Sequence, residues 1–303
     1  MNMSSPINYP DEYLYALVAS PDFSKDGVLF AARRTGLYCS SDRGQSWFPA
    51  FQSLGLEIPL PTTAVAISPN FSSDRTVFAA VEGNVLRSVD GGETWTYTEL
   101  GQPVPLVSVL GLPPDSSRRG LLLAGTLDDG ILRSINHGAT WQRWNFGLLD
   151  PHIFALCFAP DGTIYAGTES GIFDSINFGR AWREIDFPMD LAPVISLVAA
   201  GEVLFAGTEE NGLYISQDSG DNWQQLAPDK IHGAVHQVLV DGFDIIAVLD
   251  DGIYYSVDQG KSWESRYTAE SENAITNVVV PLGLRPEHPL WVGLSNGDVI
   301  KIE

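Results

Sequence analysis

Nine carboxylates fall in short turns between apolar runs: Glu82, Asp128 with Asp129, Glu169, Glu209 with Glu210, Asp250 with Asp251, and Asp298. A turn of the same kind nearer the start carries Arg33 and Arg34 instead. Carboxylates gathered this way support three chemistries. A pair about 5 Å or about 6.5–9.5 Å apart could cleave a glycosidic bond. A group could hold a divalent cation, or its field could steer a basic partner. Turns also favour Asp and other polar residues for purely conformational reasons. No motif singles out a reacting pair, so no residue is assigned a catalytic role.

A second set of residues could supply contact surface. Three connecting stretches are rich in apolar side chains: 48–61 with Phe51, Leu54, Leu56, Ile58 and Leu60, 144–154 with Trp144, Phe146, Leu148 and Leu149, and 185–193 with Phe187 and Met189. Apolar loop tips mark interaction surfaces, although such side chains also tuck into cores. Phe51, Leu56, Trp144, Phe146 and Phe187 are the contacts expected for a protein partner, and the same aromatics could stack on sugar rings. The histidines His137, His152, His232, His236 and His288 show no ligand spacing beyond His232 and His236, which would need a helix to converge. No Walker or GxSxG pattern occurs. No metal ligands are assigned and no cofactor is expected; a cation among the turn carboxylates stays as an alternative.

What positions these residues is a repeat. An eight-residue box, Ser-x-Asp/Asn-x-Gly-x-x-Trp, occurs six times, with acid or amide and closing tryptophan at Asp42 and Trp47, Asp90 and Trp95, Asn136 and Trp141, Asn177 and Trp182, Asp218 and Trp223, and Asp258 and Trp263. The tryptophans are 48, 46, 41, 41 and 40 residues apart, a period that means repeat architecture. Asx followed two residues later by Gly makes a turn, the short side chain accepting from backbone N–H groups and Gly taking positive φ. Asp and Asn exchange freely at that position, which suits a turn former better than a general acid or calcium ligand. The tryptophan then carries its ring into a seam between repeats.

Ahead of each box lies an apolar run, a Gly- or acid-rich turn and a second apolar run, a hairpin pattern, preceded by another short strand. With the strand after the tryptophan, each unit has four strands, the dimensions of a β-propeller blade. The middle positions Ala31, Ala79, Ala124, Ala166, Ala206, Ala247 and Val292 count seven second strands. The expected fold is an all-β, seven-bladed propeller in one domain, with blades at roughly 11–61, 62–105, 106–150, 151–192, 193–231, 232–271 and 272–303. The last unit ends after its third strand, and residues 1–10 are placed to supply the fourth, closing the ring and covering an open edge. Deleting residues 2–9 is therefore expected to lower the melting temperature by many degrees, and an unchanged melting curve would sink the closure. In such a blade the second-to-third turns share a face with the blade-joining loops, placing the nine carboxylates around one mouth. The boxes lie opposite, beside the Pro/Asp/Ser turns 20–27, 68–75 and 112–120, which are assigned no chemistry.

Formal net charge is −21 with pI near 4.4. Neutralising phosphates dominates nucleic-acid affinity, so a chain this acidic is a poor candidate for binding nucleic acid or an anionic membrane surface. No run approaches the roughly 18–20 apolar residues of a membrane span, so no insertion is expected. No secretory leader is visible, and Cys39 and Cys157 fall on blades nearly opposite across the ring. They read as small buried hydrophobes, and a cytoplasmic location is expected.

The boxes and their strand context resemble the Asp-box (BNR) repeat superfamily of propellers across essentially the whole chain. That superfamily includes sialidases, xyloglucan-cleaving glycosidases, the sorting receptor sortilin and the photosystem II assembly factor. The resemblance implies that the box is a fold element remote from any active site. Sialidases are six-bladed and carry an Arg-Ile-Pro segment, which this chain lacks. The xyloglucan enzymes place two acids in a cleft between two propellers, and one propeller is present here. The assembly factor is a single ring of this outline with a basic patch, from which the acid-rich turns depart. Fold does not settle function. The reading that fits best is a soluble, non-catalytic scaffold or assembly factor binding a protein partner, one with a basic surface, through the mouth; the alternative is a carbohydrate-binding or glycoside-hydrolase-like propeller.

Overall fold

The computed structural model describes residues 12–114, 120–189, 191–269 and 273–303. Strands β1–β27 form seven antiparallel sheets: β1–β4 within 14–49, β5–β8 within 62–99, β9–β12 within 107–143, β13–β16 within 153–185, β17–β20 within 194–226, β21–β24 within 235–268 and β25–β27 within 275–302. Each sheet is a meander in chain order, as tight turns between sequential apolar runs dictate. Six have four strands and the last has three among the described residues. Residues 1–10, expected to supply the missing strand, lie outside the described residues.

The ring is closed by its first strands. Each of β1, β5, β9, β13, β17, β21 and β25 lies against the next, and β25 (Ile275–Val279) returns to β1 (Leu14–Ala19). The seven small second-strand residues at 31, 79, 124, 166, 206, 247 and 292 are all fully buried. Ala, or once Val, fits there because sheet faces stack against one another and leave little room. The hydrophobic clusters accordingly run between neighbouring blades: Phe30, Phe71, Val77 and Trp95 pack together across the first junction.

One irregularity recurs. In all seven blades the pairing of first with second strand slips by one residue near the end toward the second-to-third turn, as at Leu14/Ala16, Val235/Gln237 and Ile275/Asn277. Such a slip bends the strand and re-aims the extra side chain. Nothing in the apolar pattern announces it.

The boxes show why the repeat needs its residue types. The Ser hydroxyl accepts from the box Gly N–H, as from Gly44 to Ser40 at 2.8 Å and Gly220 to Ser216 at 2.9 Å, and donates to the Asx Oδ1. That Oδ1 in turn accepts from the backbone N–H four residues on, at 2.9 Å for Asp90 and Thr94 and 3.0 Å for Asn136 and Thr140. An amide oxygen does this as well as a carboxylate, which is the physical reason for the exchange. Positive φ falls on two successive residues, not on the Gly alone: Arg43 at 64° precedes Gly44 at 83°, and His137, Phe178, Ser219 and Gln259 repeat the pattern. The Gly is also demanded by the neighbouring blade, since a Cβ on Gly92 would stand 2.9 Å from the Phe30 ring and one on Gly260 would stand 2.6 Å from Leu226. The tryptophans seal the seams, with Trp95, Trp182 and Trp263 buried and Trp47, Trp141 and Trp223 half-buried.

The carboxyls of Asp42, Asp90 and Asp258 are held down to about 2 by hydrogen bonds from the hydroxyls and N–H groups of Ser46, Thr94 and Ser262. Folded values below the usual Asp value of about 3.9 mean a stabilisation fully present above about pH 4 and lost as pH falls toward about 2. Replacing all three by Asn is expected to flatten the acid limb of stability, measured by urea unfolding from about pH 6 to about pH 2. An acid limb of unchanged slope would overturn this.

The first two Pro/Asp/Ser turns contain more structure than their composition implies, and residues 115–119 of the third lie outside the described residues. Phe23–Asp26 and Phe71–Asp74 each form one helical turn whose phenylalanine is fully buried. Asp26 and Asp74 close the turns by accepting from Ser20 and Ser68, at 2.6 Å in both cases.

Candidate functional site

Backbone pairing assigns the two faces. The first-to-second turns bond to the boxes, as in Arg43 N–H to Gly27 O and Gln259 N–H to Phe243 O. The second-to-third turns bond to the blade-joining linkers, as in Gly130 N–H to Pro151 O, Glu209 N–H to Pro193 O and Ala269 N–H to Asp251 O. The turn carboxylates therefore rim one face and the boxes occupy the other.

The rim is less bare of counter-charge than its acid count suggests. Arg143 pairs with Asp129 at 2.8 Å. His236, the extra residue at a register slip, is aimed at Asp250, with Nε2 2.6 Å from Oδ1. It lies on a strand, and His232 in the loop before it does not share its contact. Asp251 accepts from the Tyr254 hydroxyl at 2.9 Å, and Asp298 accepts from the Asn296 amide at 2.8 Å. Glu82, Glu209 and Glu210 are exposed. Arg34 is exposed, but Arg33 is drawn into the seam over Tyr38 at 4.8 Å and Trp47 at 5.5 Å. Burial lowers the Arg33 pKa, against the opposing pull of Glu12.

Among the described residues the densest grouping surrounds His152, in the linker between blades three and four. Its Nδ1 lies 2.9 Å from Asp150 and 3.2 Å from Glu169, while Nε2 lies 3.8 Å from Asp128. The hydrogen bond to Asp150 raises the His152 pKa. Burial pushes Asp150 up, but hydrogen bonds led by the His152 N–H leave its carboxyl below the usual range. Asp150 and His152 were not singled out by spacing: they come together with Glu169 only when the linker folds onto the turn of its own blade. The local signal was an Asp-Pro-His run directly before a first strand.

Several expected contact residues turn out to be packing. Phe51 is 8% exposed and meets Trp95 edge-on at 5.2 Å, so it faces the seam and not a partner. Phe187 is half-buried between Tyr214 and Trp223, each 5.2 Å away. Trp144 is half-buried under the Arg133 guanidinium at 5.4 Å. For Phe51 and Phe187 the reason is shared: the outermost strands are short, and the next blade's box tryptophan needs apolar cover where they end. Phe146 and Leu56 remain exposed, at 79% and 49%, although Phe146 is tied by its carbonyl to the N–H of Trp182. The most exposed aliphatics of the rim linkers are Ile58 at 76%, Leu149 at 78% and Leu191 at 80%. Leu149 and Leu191 precede residues that bond to rim turns, through the Asp150 carboxylate to Ser170 and the Pro193 carbonyl to Glu209.

Burial pushes the Cys39 and Cys157 thiols up to about 11 and about 12, so neither is a nucleophile near neutrality. No helix among the described residues is long and apolar enough to cross a membrane.

The BNR/Asp-box repeat family matches residues 254–265, from the third strand of blade six into its box. No curated protein matches the sequence. The extracellular domain of a putative hybrid two component system from B. thetaiotaomicron shares the fold with TM-score 0.75 at 17% identity, over 98% of this chain and 39% of that one. The Niastella koreensis GH74 enzyme matches with TM-score 0.75 at 16% identity, over 95% of this chain and 52% of the enzyme. YCF48 bound to D1 peptide matches with TM-score 0.69 at 16% identity, over 98% of this chain and 93% of YCF48. The chain thus spans about two-fifths to half of the first two proteins and nearly all of the third. At these identities the likeness is one of fold. Six boxes in phase on seven meandering sheets make the chain a seven-bladed β-propeller, with one BNR/Asp-box repeat matched in blade six.

Proposed function

We propose that this propeller is a non-catalytic scaffold that binds a protein partner with a basic surface through the rim of blades three to five. The observation that carries the reading is the pair Leu149 and Leu191, 78% and 80% exposed on linkers that border the carboxylates Glu169, Glu209 and Glu210. Large aliphatics held this far into water on an otherwise acidic rim are an apolar centre with a charged surround, the anatomy of a protein-binding patch. The similarity in length and fold to YCF48, seen with a D1 peptide, supports it. A carbohydrate-binding or glycoside-hydrolase-like role draws on the likeness to the GH74 enzyme. It is the weaker reading because Asp129 and Asp250 are engaged by Arg143 and His236.

The test is affinity capture from native lysate with immobilised wild type, a Leu149→Asp/Leu191→Asp variant and a Glu209→Lys/Glu210→Lys variant. A basic protein held by wild type and lost by both variants is expected. Equal retention by all three, or saturable binding to a glycan alone, would overturn the scaffold reading.

A further inference from the structure

The grouping around His152 has a geometry that the box repeat does not account for. Asp150, His152 and Glu169 each offer one donor atom, and these atoms all lie within 4.8 Å of one another. Donors about 2.0–2.2 Å from a tetrahedral ion stand about 3.3–3.6 Å apart. The separations of 2.9 Å and 3.2 Å from His152 Nδ1 need only a small opening to admit one. Asp150 is 8% exposed and already oriented, Oδ1 accepting from the His152 N–H at 3.0 Å and Oδ2 from the Ser170 N–H at 2.7 Å.

A second observation separates this grouping from an ordinary ion pair. With Nδ1 as a ligand, the ring proton sits on Nε2, and Nε2 faces the Asp128 carboxylate at 3.8 Å. At that distance Asp128 makes no hydrogen bond, but its 83% exposed side chain is free to swing the short way into reach of the far ring nitrogen, where a carboxylate holds a ligating histidine in one tautomer. Charge points the same way, because three carboxylates surround one imidazole and even its protonated form leaves two negative charges uncompensated.

We propose that Asp150, His152 and Glu169 bind a divalent transition-metal ion of the zinc type at the rim between blades three and four, with Asp128 orienting the histidine from behind. An imidazole among carboxylates suits zinc and its neighbours better than calcium or magnesium, which take oxygen-only shells. Three protein donors leave a fourth position open to water or to a donor atom from a partner. The site does not depend on the scaffold reading.

The test uses the full chain stripped of metal, titrated with zinc(II) by calorimetry and with cobalt(II) by visible absorption. One equivalent of each is expected, with a cobalt band. His152→Ala and Glu169→Gln should each weaken zinc binding at least about tenfold. The Glu169 side chain is 60% exposed, so its replacement leaves the fold intact. Asp250→Asn, which strips the carboxylate beside His236, should leave the affinity unchanged. Absence of stoichiometric binding, or unchanged affinity in His152→Ala and Glu169→Gln, would overturn the site. Equal weakening by Asp250→Asn would also do so, since it would mean diffuse attraction to surface charge.

Discussion

Trp291→Ala is expected to destabilise the ring by about 3–5 kcal/mol, the range for deleting a large buried aromatic. Trp291 is 2% exposed on β26 (Leu290–Leu294) and meets Phe23 edge-on at 4.8 Å. Its indole N–H donates to the Arg43 carbonyl at 2.8 Å, and a Cβ on Gly44 would stand 3.3 Å from its ring. It therefore does for the first box what Phe30 does for the second and Phe78 for the third. The other six junctions have chain continuity on their side. This one joins the last blade to the first, and among the described residues only side-chain packing and such hydrogen bonds hold it. Truncation leaves a cavity there and orphans the Arg43 carbonyl. Urea unfolding measures the effect. Trp291→Phe should recover much of the packing without the hydrogen bond, and a loss below about 1 kcal/mol for Trp291→Ala would show that the seam is held elsewhere.

For Leu149→Asp/Leu191→Asp, partner affinity is expected to fall at least about thirtyfold, the equivalent of a hot-spot loss of about 2 kcal/mol. The melting temperature should stay put, because neither side chain contributes to the core at 78% and 80% exposure. The two variant pairs should also fail differently. Asp in place of Leu removes apolar contact without removing negative field, so the dissociation rate should rise while the salt dependence of association persists. Glu209→Lys/Glu210→Lys should instead slow association and flatten its salt dependence. Surface plasmon resonance across a salt series reads both. A double aspartate variant that binds as wild type would place the contact away from these linkers.

The repeat, the blade count and the division of the two faces were legible in the sequence because each rests on local chemistry. A Ser-x-Asx-x-Gly turn makes its hydrogen bonds within eight residues, wherever it stands in the ring. Ala at seven second strands follows from stacking that every blade repeats. The apolar linkers were harder. Phe51 and Phe187 have the same composition signature as Leu149 and Leu191, and only the position of the next blade's tryptophan decides which are covered.

The chain by itself thus determined its architecture: the period, the turn chemistry and the carboxylates that ring one face. The tertiary structure alone decided which groups meet there. Register slips at the head of every first strand, and linkers folded onto turns, bring His236 to Asp250 and His152 to Asp150 and Glu169. Those contacts depend on a one-residue shift and on the packing of successive blades, neither of which leaves a mark in spacing or composition.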